Sequence, residues 1–146
     1  MMRYLFDTDH ISILQRRSGD AYLCLTDRIS RCSPDDFALN IISFHEQCLG
    51  ANTLIARSKT DAQIIVGYDL LNEILQGFSV APVLKFDQAA ALCFQGFRSK
   101  GIRIGTMDLR IASICLTNDL ILLTRNRRDF EQVPDLLVED WTSGRM

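Results

Sequence analysis

The sequence predicts an α/β fold, a three-layer α/β/α sandwich around a mostly parallel central sheet. Three observations predict it. Short apolar runs of strand type alternate with segments whose apolar residues recur every three or four positions. Leu120-Ile121-Leu122-Leu123 is apolar without interruption, as central strands of parallel sheets are. The chain has 146 residues, 47% hydrophobic and 23% charged, with eight Gly and three Pro. That suits one globular domain over 1–146 and excludes a disordered, collagen-like or linker-rich chain.

The elements follow in order. Arg3–Phe6 is a short apolar strand, and Asp9–Arg17 a first short helix. From Gly19 to Cys32, the residues Tyr22, Leu25, Ile29 and Cys32 recur at helical spacing. Ser33-Pro34-Asp35-Asp36 is a turn, and Phe37–Ile42 a second strand. Ser43 then opens a helix to about Arg57, with Ser43 and Glu46 spaced as a capping box. The next helix carries a stripe of Ile64, Tyr68, Leu71, Leu75 and Phe78, expected to face the core. Pro82–Phe86 is a third strand. Asp87 caps a helix to about Lys100, and Gly101–Gly105 holds a brief extended piece. Thr106–Leu116 is a helix apolar nearly all round after its first turn, so it is expected to be buried on most sides. Leu120–Leu123 is a strand, a helical turn follows near Asp129, and a last strand lies near Leu136–Val138.

No apolar run approaches the roughly 20 residues of a membrane span. The stretch before Asp7 is too short for the core of a secretory signal. Cys24, Cys32, Cys48, Cys93 and Cys115 are odd in number and contain no CxxC pair. They read as packing residues in a reducing cytoplasm rather than as a zinc or disulfide framework. The formal net charge is −2. A polyanionic substrate must therefore be held by a local basic patch or by bound cations, because bulk attraction is lacking.

In parallel α/β sheets the ligand site lies beyond the carboxyl ends of the strands. Asp7 and Asp9 follow the first strand, and Glu46 follows the second. Asp108 follows the extended piece Ile102–Ile104. Thr124, Asn126 and Asp129 follow Leu120–Leu123. Each acid alone has an ordinary explanation: a helix cap for Asp7 or Asp9, the capping box for Glu46, a first-turn charge for Asp108, a surface charge for Asp129. Together they would repel one another at one sheet edge, and a fold retains such a cluster when a cation sits in it. All-oxygen donors select a hard ion, Mg²⁺ or Mn²⁺. A carboxylate-held divalent ion in a cleft is a common device for hydrolysing phosphodiesters. Arg125, Arg127 and Arg128 flank the same edge and are candidates for holding the phosphates of such a substrate. Arg16 and Arg17 read as cations favoured by a helix end.

The stretches Tyr4-Leu5-Phe6-Asp7-Thr8-Asp9, Ile42-Ser43-Phe44-His45-Glu46, Ile104-Gly105-Thr106-Met107-Asp108-Leu109-Arg110-Ile111-Ala112, and Leu123-Thr124-Arg125-Asn126-Arg127-Arg128-Asp129-Phe130 resemble PIN-domain ribonucleases of the VapC toxin type. So does the tail Val133–Trp141. The likeness spans nearly the whole chain and is most specific from Ile104 onward. It implies a PIN-like fold and a cytoplasmic Mg²⁺- or Mn²⁺-dependent endoribonuclease, the toxin of a toxin–antitoxin pair. It implies the metal positions Asp7, Glu46, Asp108 and Asp129, with Asn126 as polar helper and Thr124 beside it. A homodimer and a cognate antitoxin are implied as partners. One departure stands out: the family usually carries Asn where this chain has Asp9. His45, where the family prefers a small or apolar residue, reads as a packed or capping residue.

Two other readings exist. A PIN fold can grip RNA or a partner without cutting, although all four acids are present here. Phe6-Asp7-Thr8-Asp9 also matches the opening of haloacid-dehalogenase-type phosphatases, with Asp7 as nucleophile and Asp9 as acid. That family's later Lys and paired-Asp motifs have no convincing counterpart here.

Overall fold

The computed structural model describes residues 1–144. The strands are β1 (Tyr4–Phe6), β2 (Phe37–Asn40), β3 (Val83–Leu84), β4 (Ile121–Leu123) and β5 (Val138–Glu139). The helices are α1 (Thr8–Arg16), α2 (Asp20–Ser30), α3 (Ile41–Arg57), α4 (Asp61–Gly77), α5 (Gln88–Ser99), α6 (Thr106–Thr117) and α7 (Arg127–Phe130). The strands form one sheet in the order β3-β2-β1-β4-β5, and every pairing is parallel. The expected sandwich is therefore present, with a sheet that is parallel throughout.

Side-chain alternation builds the two outer layers. Leu5, Ala38 and Leu122 point to one face, where they meet α5, α6 and α7 through Ala90, Phe97, Leu109, Ile111 and Phe130. Tyr4, Phe6, Phe37, Leu39 and Leu123 point to the other, against α1–α4 and Trp141. An aromatic cluster anchors this second face: Phe6 stacks on Phe37 at 5.2 Å, and Trp141 meets Tyr4 edge-on at 4.7 Å. As expected, α6 is buried on most sides, with Leu109 and Ile111–Cys115 all inaccessible. Burial pushes the Cys115 thiol up to about 12, which leaves it an inert packing group. All five cysteines are free.

Four expectations need correction. The segment 101–105 forms no strand; it is an irregular bend leading into α6. The cap of α3 is Asn40, whose side chain accepts the Ser43 N–H at 2.8 Å, so the helix starts earlier than Ser43 and no Ser43–Glu46 capping box forms. His45 is neither packed nor capping but exposed on α3. Leu71 of α4 and Phe78, which caps its C-terminal end, face the core, whereas Ile64, Tyr68 and Leu75 of the expected stripe are exposed. The contact instead runs through Gly67 and Ile74. At Gly67 the backbones of α3 and α4 approach so closely that a Cβ would overlap the Ile55 side chain.

The chain winds outward from β1 twice, through β2 and β3 on one side and β4 and β5 on the other. The switch point lies between β1 and β4, where a crevice opens at their carboxyl ends.

Candidate active site

The β1–β4 crevice is lined by Asp7, Thr8, Asp9, Ser12, Ile13, Arg16, Glu46, Asp108, Arg125 and Asn126, with a volume of about 420 Å³. Asp7 sits where β1 becomes α1. Its carboxylate caps that helix, accepting the Thr8 N–H on Oδ1 at 2.8 Å. Its Oδ2 accepts the hydroxyl of Thr124 at 2.7 Å, from the residue after β4. The capping role and the crevice position thus belong to the same side chain.

Glu46 does not close a capping box on its own helix. Its Oε1 accepts the Thr8 hydroxyl at 3.0 Å, and that hydroxyl is also 2.8 Å from the buried Ser43 hydroxyl. Asn40 donates to the Phe6 carbonyl at 3.0 Å and to Ser43 at 3.0 Å, fixing the start of α3 against the end of β1. Across the crevice, the Asn126 amide donates to Asp129 at 3.0 Å and reaches toward Asp108 at 3.5 Å. The Asn126 N–H in turn is held by the Thr124 hydroxyl oxygen at 3.0 Å.

The electrostatics mark the cluster. Burial pushes the Asp7 carboxyl up from its ordinary 3.8 to about 7, with the Asp9 and Asp108 charges adding, while the Thr124 and Thr8 hydrogen bonds pull against them. Burial also raises Asp108, and the neighbouring charges of Glu46, Asp129 and Asp9 raise it further. Asp9 goes the other way. Burial alone would raise it, but hydrogen bonds from His10, the Arg125 N–H and Thr124, together with the His10 charge interaction, hold it below its ordinary value.

The structure therefore brings Asp7, Glu46, Asp108, Thr124 and Asn126 to one crevice, with Asp129 tied to it through Asn126. As the side chains lie, no three carboxylate, imidazole or thiolate groups among the described residues stand close enough to cage an ion. The fit to a cation is one of donor chemistry and mutual repulsion, not of a preformed cage. Arg125 lines the crevice, Arg127 is exposed and 3.8 Å from Glu131, and Arg128 is exposed. Arg16, which the sequence presented as a plain helix-end cation, also lines the crevice. Thr8, Ser43, Asn40 and His10 are parts of the site that the sequence did not signal.

No family model matches the chain. Ribonuclease VapC1 of Haemophilus influenzae (strain R2866) is 27% identical over 146 residues, covering 97% of this chain and 99% of that protein. The likeness to a VapC ribonuclease thus runs the length of the chain. The tRNA(fMet)-specific endonuclease VapC of Salmonella typhimurium is 34% identical over a shorter stretch of 73 residues, 47% of this chain and 55% of that one. Among solved structures, VapC-type likeness extends to the whole fold. The DNA-bound VapBC of Salmonella typhimurium matches with a TM-score of 0.77 at 23% identity, over 97% of this chain and 99% of that one. VapBC-1 of nontypeable Haemophilus influenzae matches with a TM-score of 0.75 at 24% identity, over 97% and 100%. A toxin–antitoxin complex from Klebsiella pneumoniae matches at 0.65 and 20% identity, over 92% and 95%.

Proposed function

We propose that this VapC-type chain is an endoribonuclease that hydrolyses RNA phosphodiester bonds with bound Mg²⁺ or Mn²⁺, and that it is the toxin of a toxin–antitoxin pair. The observation that carries the reading is the convergence of Asp7, Glu46 and Asp108, with the Asn126–Asp129 pair, at the β1–β4 switch point. The relatives' names as ribonucleases and an endonuclease give the same direction.

In this reading Asp7, Glu46, Asp108 and Asp129 hold the cation, directly or through water. A hard divalent ion there supplies polarisation of a phosphoryl oxygen and a more acidic attacking water. Positive charge there would offset the burial and neighbouring charges that raise Asp7 and Asp108, and so favour their ionised form. A carboxylate that is not occupied as a ligand accepts the proton of the attacking water. Thr124 and Asn126 keep the two sides of the crevice in register, and Arg125, Arg127 and Arg128 draw in phosphates. The ribose 2′-hydroxyl takes no part in the attack. The partners are a cognate antitoxin and a second copy of this chain. Exposed Ile65, Val66, Tyr68 and Leu75 on α4 give such partners apolar surface to cover. No helix among the described residues is long and apolar enough to cross a membrane, and the chain works in the cytoplasm in this reading.

The phosphatase alternative requires Asp9 as a proton donor. Asp9 is held ionised by donors on both oxygens, which disfavours that role. A non-cutting RNA-binding module is separated by experiment. Incubation of mixed RNA with the full chain is expected to give cleavage in Mn²⁺, none in EDTA, and none with Asp7→Asn in either. Intact RNA with the parent chain in Mn²⁺ would overturn the nuclease reading.

A further inference from the structure

His10 is completely buried, yet it belongs to no step above. Its Nε2 lies 3.2 Å from the backbone N of Trp141, and a backbone N–H can only donate. Nε2 is therefore the acceptor, and in the neutral ring the proton sits on Nδ1. That Nδ1–H points at Asp9 Oδ1, 2.7 Å away. The other oxygen of Asp9 accepts the backbone N–H of Arg125 at 2.9 Å and lies 3.2 Å from the Thr124 hydroxyl. Both ends of the residue-9 side chain thus face donors that cannot reverse. A carboxylate satisfies both. An amide has one acceptor and one donor, so Asn at position 9 would set its NH₂ against either His10 or Arg125.

We propose that Asp9 and His10 are a coupled positioning pair. The imidazole dictates a carboxylate at residue 9, and that carboxylate pins the 124–126 segment to the start of α1 instead of serving as a fifth cation ligand. The pair accounts for Asp9 standing where VapC-type sequences usually have Asn. The charge is retained although it repels Asp7 and Asp108. Its position decides what it controls. Arg125 N–H and Thr124 are its partners, Thr124 holds Asp7 and the Asn126 N–H, and Asn126 holds Asp129. The same imidazole ties the segment after β5 into this chain of contacts through Trp141.

The test is a double-mutant cycle on the full chain, with Asp9→Asn, His10→Gln and both together. Gln places an acceptor near the Nε2 position for the Trp141 N–H and removes the donor that faces residue 9. Three quantities are read: the denaturant midpoint in EDTA, the Mn²⁺ dissociation constant by calorimetry, and the initial rate on mixed RNA at saturating Mn²⁺. Asp9→Asn alone is expected to lower the midpoint and slow cleavage about tenfold, the scale of leaving a buried donor unpaired. The double variant is expected to recover most of both. Mn²⁺ affinity in the double variant is expected to stay within about twofold of the parent, as it should when no ligand is lost. Additive losses, or Mn²⁺ binding weakened about tenfold by Asp9→Asn whichever residue stands at 10, would overturn the pair and make Asp9 a ligand. A long-range ¹H–¹⁵N spectrum of the parent's His10 ring needs no variant: an Nδ1–H tautomer supports the proposal, and an Nε2–H tautomer overturns it. The cleavage arm rests on the nuclease reading, but the midpoints and the ring spectrum do not. A parent that cuts no RNA therefore refutes that reading while the pair is still decided.

Discussion

Thr124 Oγ1 donates to Asp7 Oδ2 at 2.7 Å, joining residues 117 positions apart in sequence. The contact closes the seam between the ends of β1 and β4. The same oxygen accepts the Asn126 N–H, so one hydroxyl organises both sides of the crevice. Thr124→Val keeps the shape and removes both functions. The expected loss is about 1–3 kcal/mol of stability, from an orphaned N–H and an unpaired Asp7 oxygen. Asp7 loses a hydrogen bond that favours its ionised form, so the acid limb of the pH–rate profile should move to higher pH. Urea unfolding and a pH–rate series read the two effects separately.

Asp7 itself makes apo stability fall with pH. Its carboxyl titrates near 3.8 when unfolded and at about 7 when folded. Between those values the unfolded chain gives up the proton and the folded chain keeps it. Ionisation therefore favours unfolding as pH rises from about 4, and the full cost is reached above about 7, on the order of a few kcal/mol. In metal-free buffer at pH 8, Asp7→Asn should melt above the parent, and the difference should vanish near pH 4. Equal melting temperatures at pH 8 would contradict the burial of this charge. Activity should be lost in the same variant.

Divalent ions should reverse that cost. An ion that binds only the folded state adds about 2.7 kcal/mol at a hundred times its dissociation constant. The melting temperature should rise with Mn²⁺ from its value in EDTA, and more steeply at pH 8 than at pH 6, where Asp7 competes as an acid. Coincident melts in EDTA and millimolar Mn²⁺ would argue that the carboxylates take up no ion.

RNA capture should depend on the exposed arginines rather than on net charge. The chain carries a formal −2. Removing a phosphate contact should lower the slope of log affinity against log salt by roughly 0.7 on single strands. Arg127→Ala with Arg128→Ala should weaken RNA binding and flatten its dependence over about 50–200 mM salt. Arg125→Ala should add to this without disturbing Asp9, which uses only the Arg125 backbone. Manganese affinity should not move. Unchanged salt dependence in the triple variant would place the RNA path elsewhere.

Gly67 is expected to be intolerant of any side chain. A Cβ there would overlap the Ile55 Cγ1 methylene across the α3–α4 contact. Gly67→Ala should cost about 1–3 kcal/mol through overpacking. Ile55→Ala in the same chain should return part of that loss, which a urea series on the three variants would read.

The strands flanking the crevice and the acids that follow them were readable because they depend on local patterns. Leu120–Leu123 is apolar enough to be nothing but an inner strand, and Asp7, Glu46, Asp108 and Asp129 each follow a hydrophobic run. The α4 stripe misled because the helix is apolar on more than one side. Ile64, Ile65, Val66, Leu70, Leu71, Ile74 and Leu75 fit several stripes, and only the close approach at Gly67 selects among them. The α3 cap misled for a related reason. Asn40 and Ser43 are both good caps, and the choice is made by the Phe6 carbonyl, a partner 34 residues away. His10 gave no sign at all, because its meaning lies in Trp141, 131 residues downstream.

The place of β1 has a further consequence for how the chain matures during synthesis. It is the earliest strand and also the innermost, flanked by β2 on one side and β4 on the other. The β2 side can pair once the chain has emerged as far as Asn40, as domains fold progressively on the ribosome. The β4 side stays an open edge until residues near Leu123 arrive, and only then do Thr124, Asn126 and Asp129 reach Asp7. Until that moment the nascent chain carries Asp7 and Glu46 without their counterparts. The order of translation thus leaves the crevice incomplete until the last third of the chain has been made.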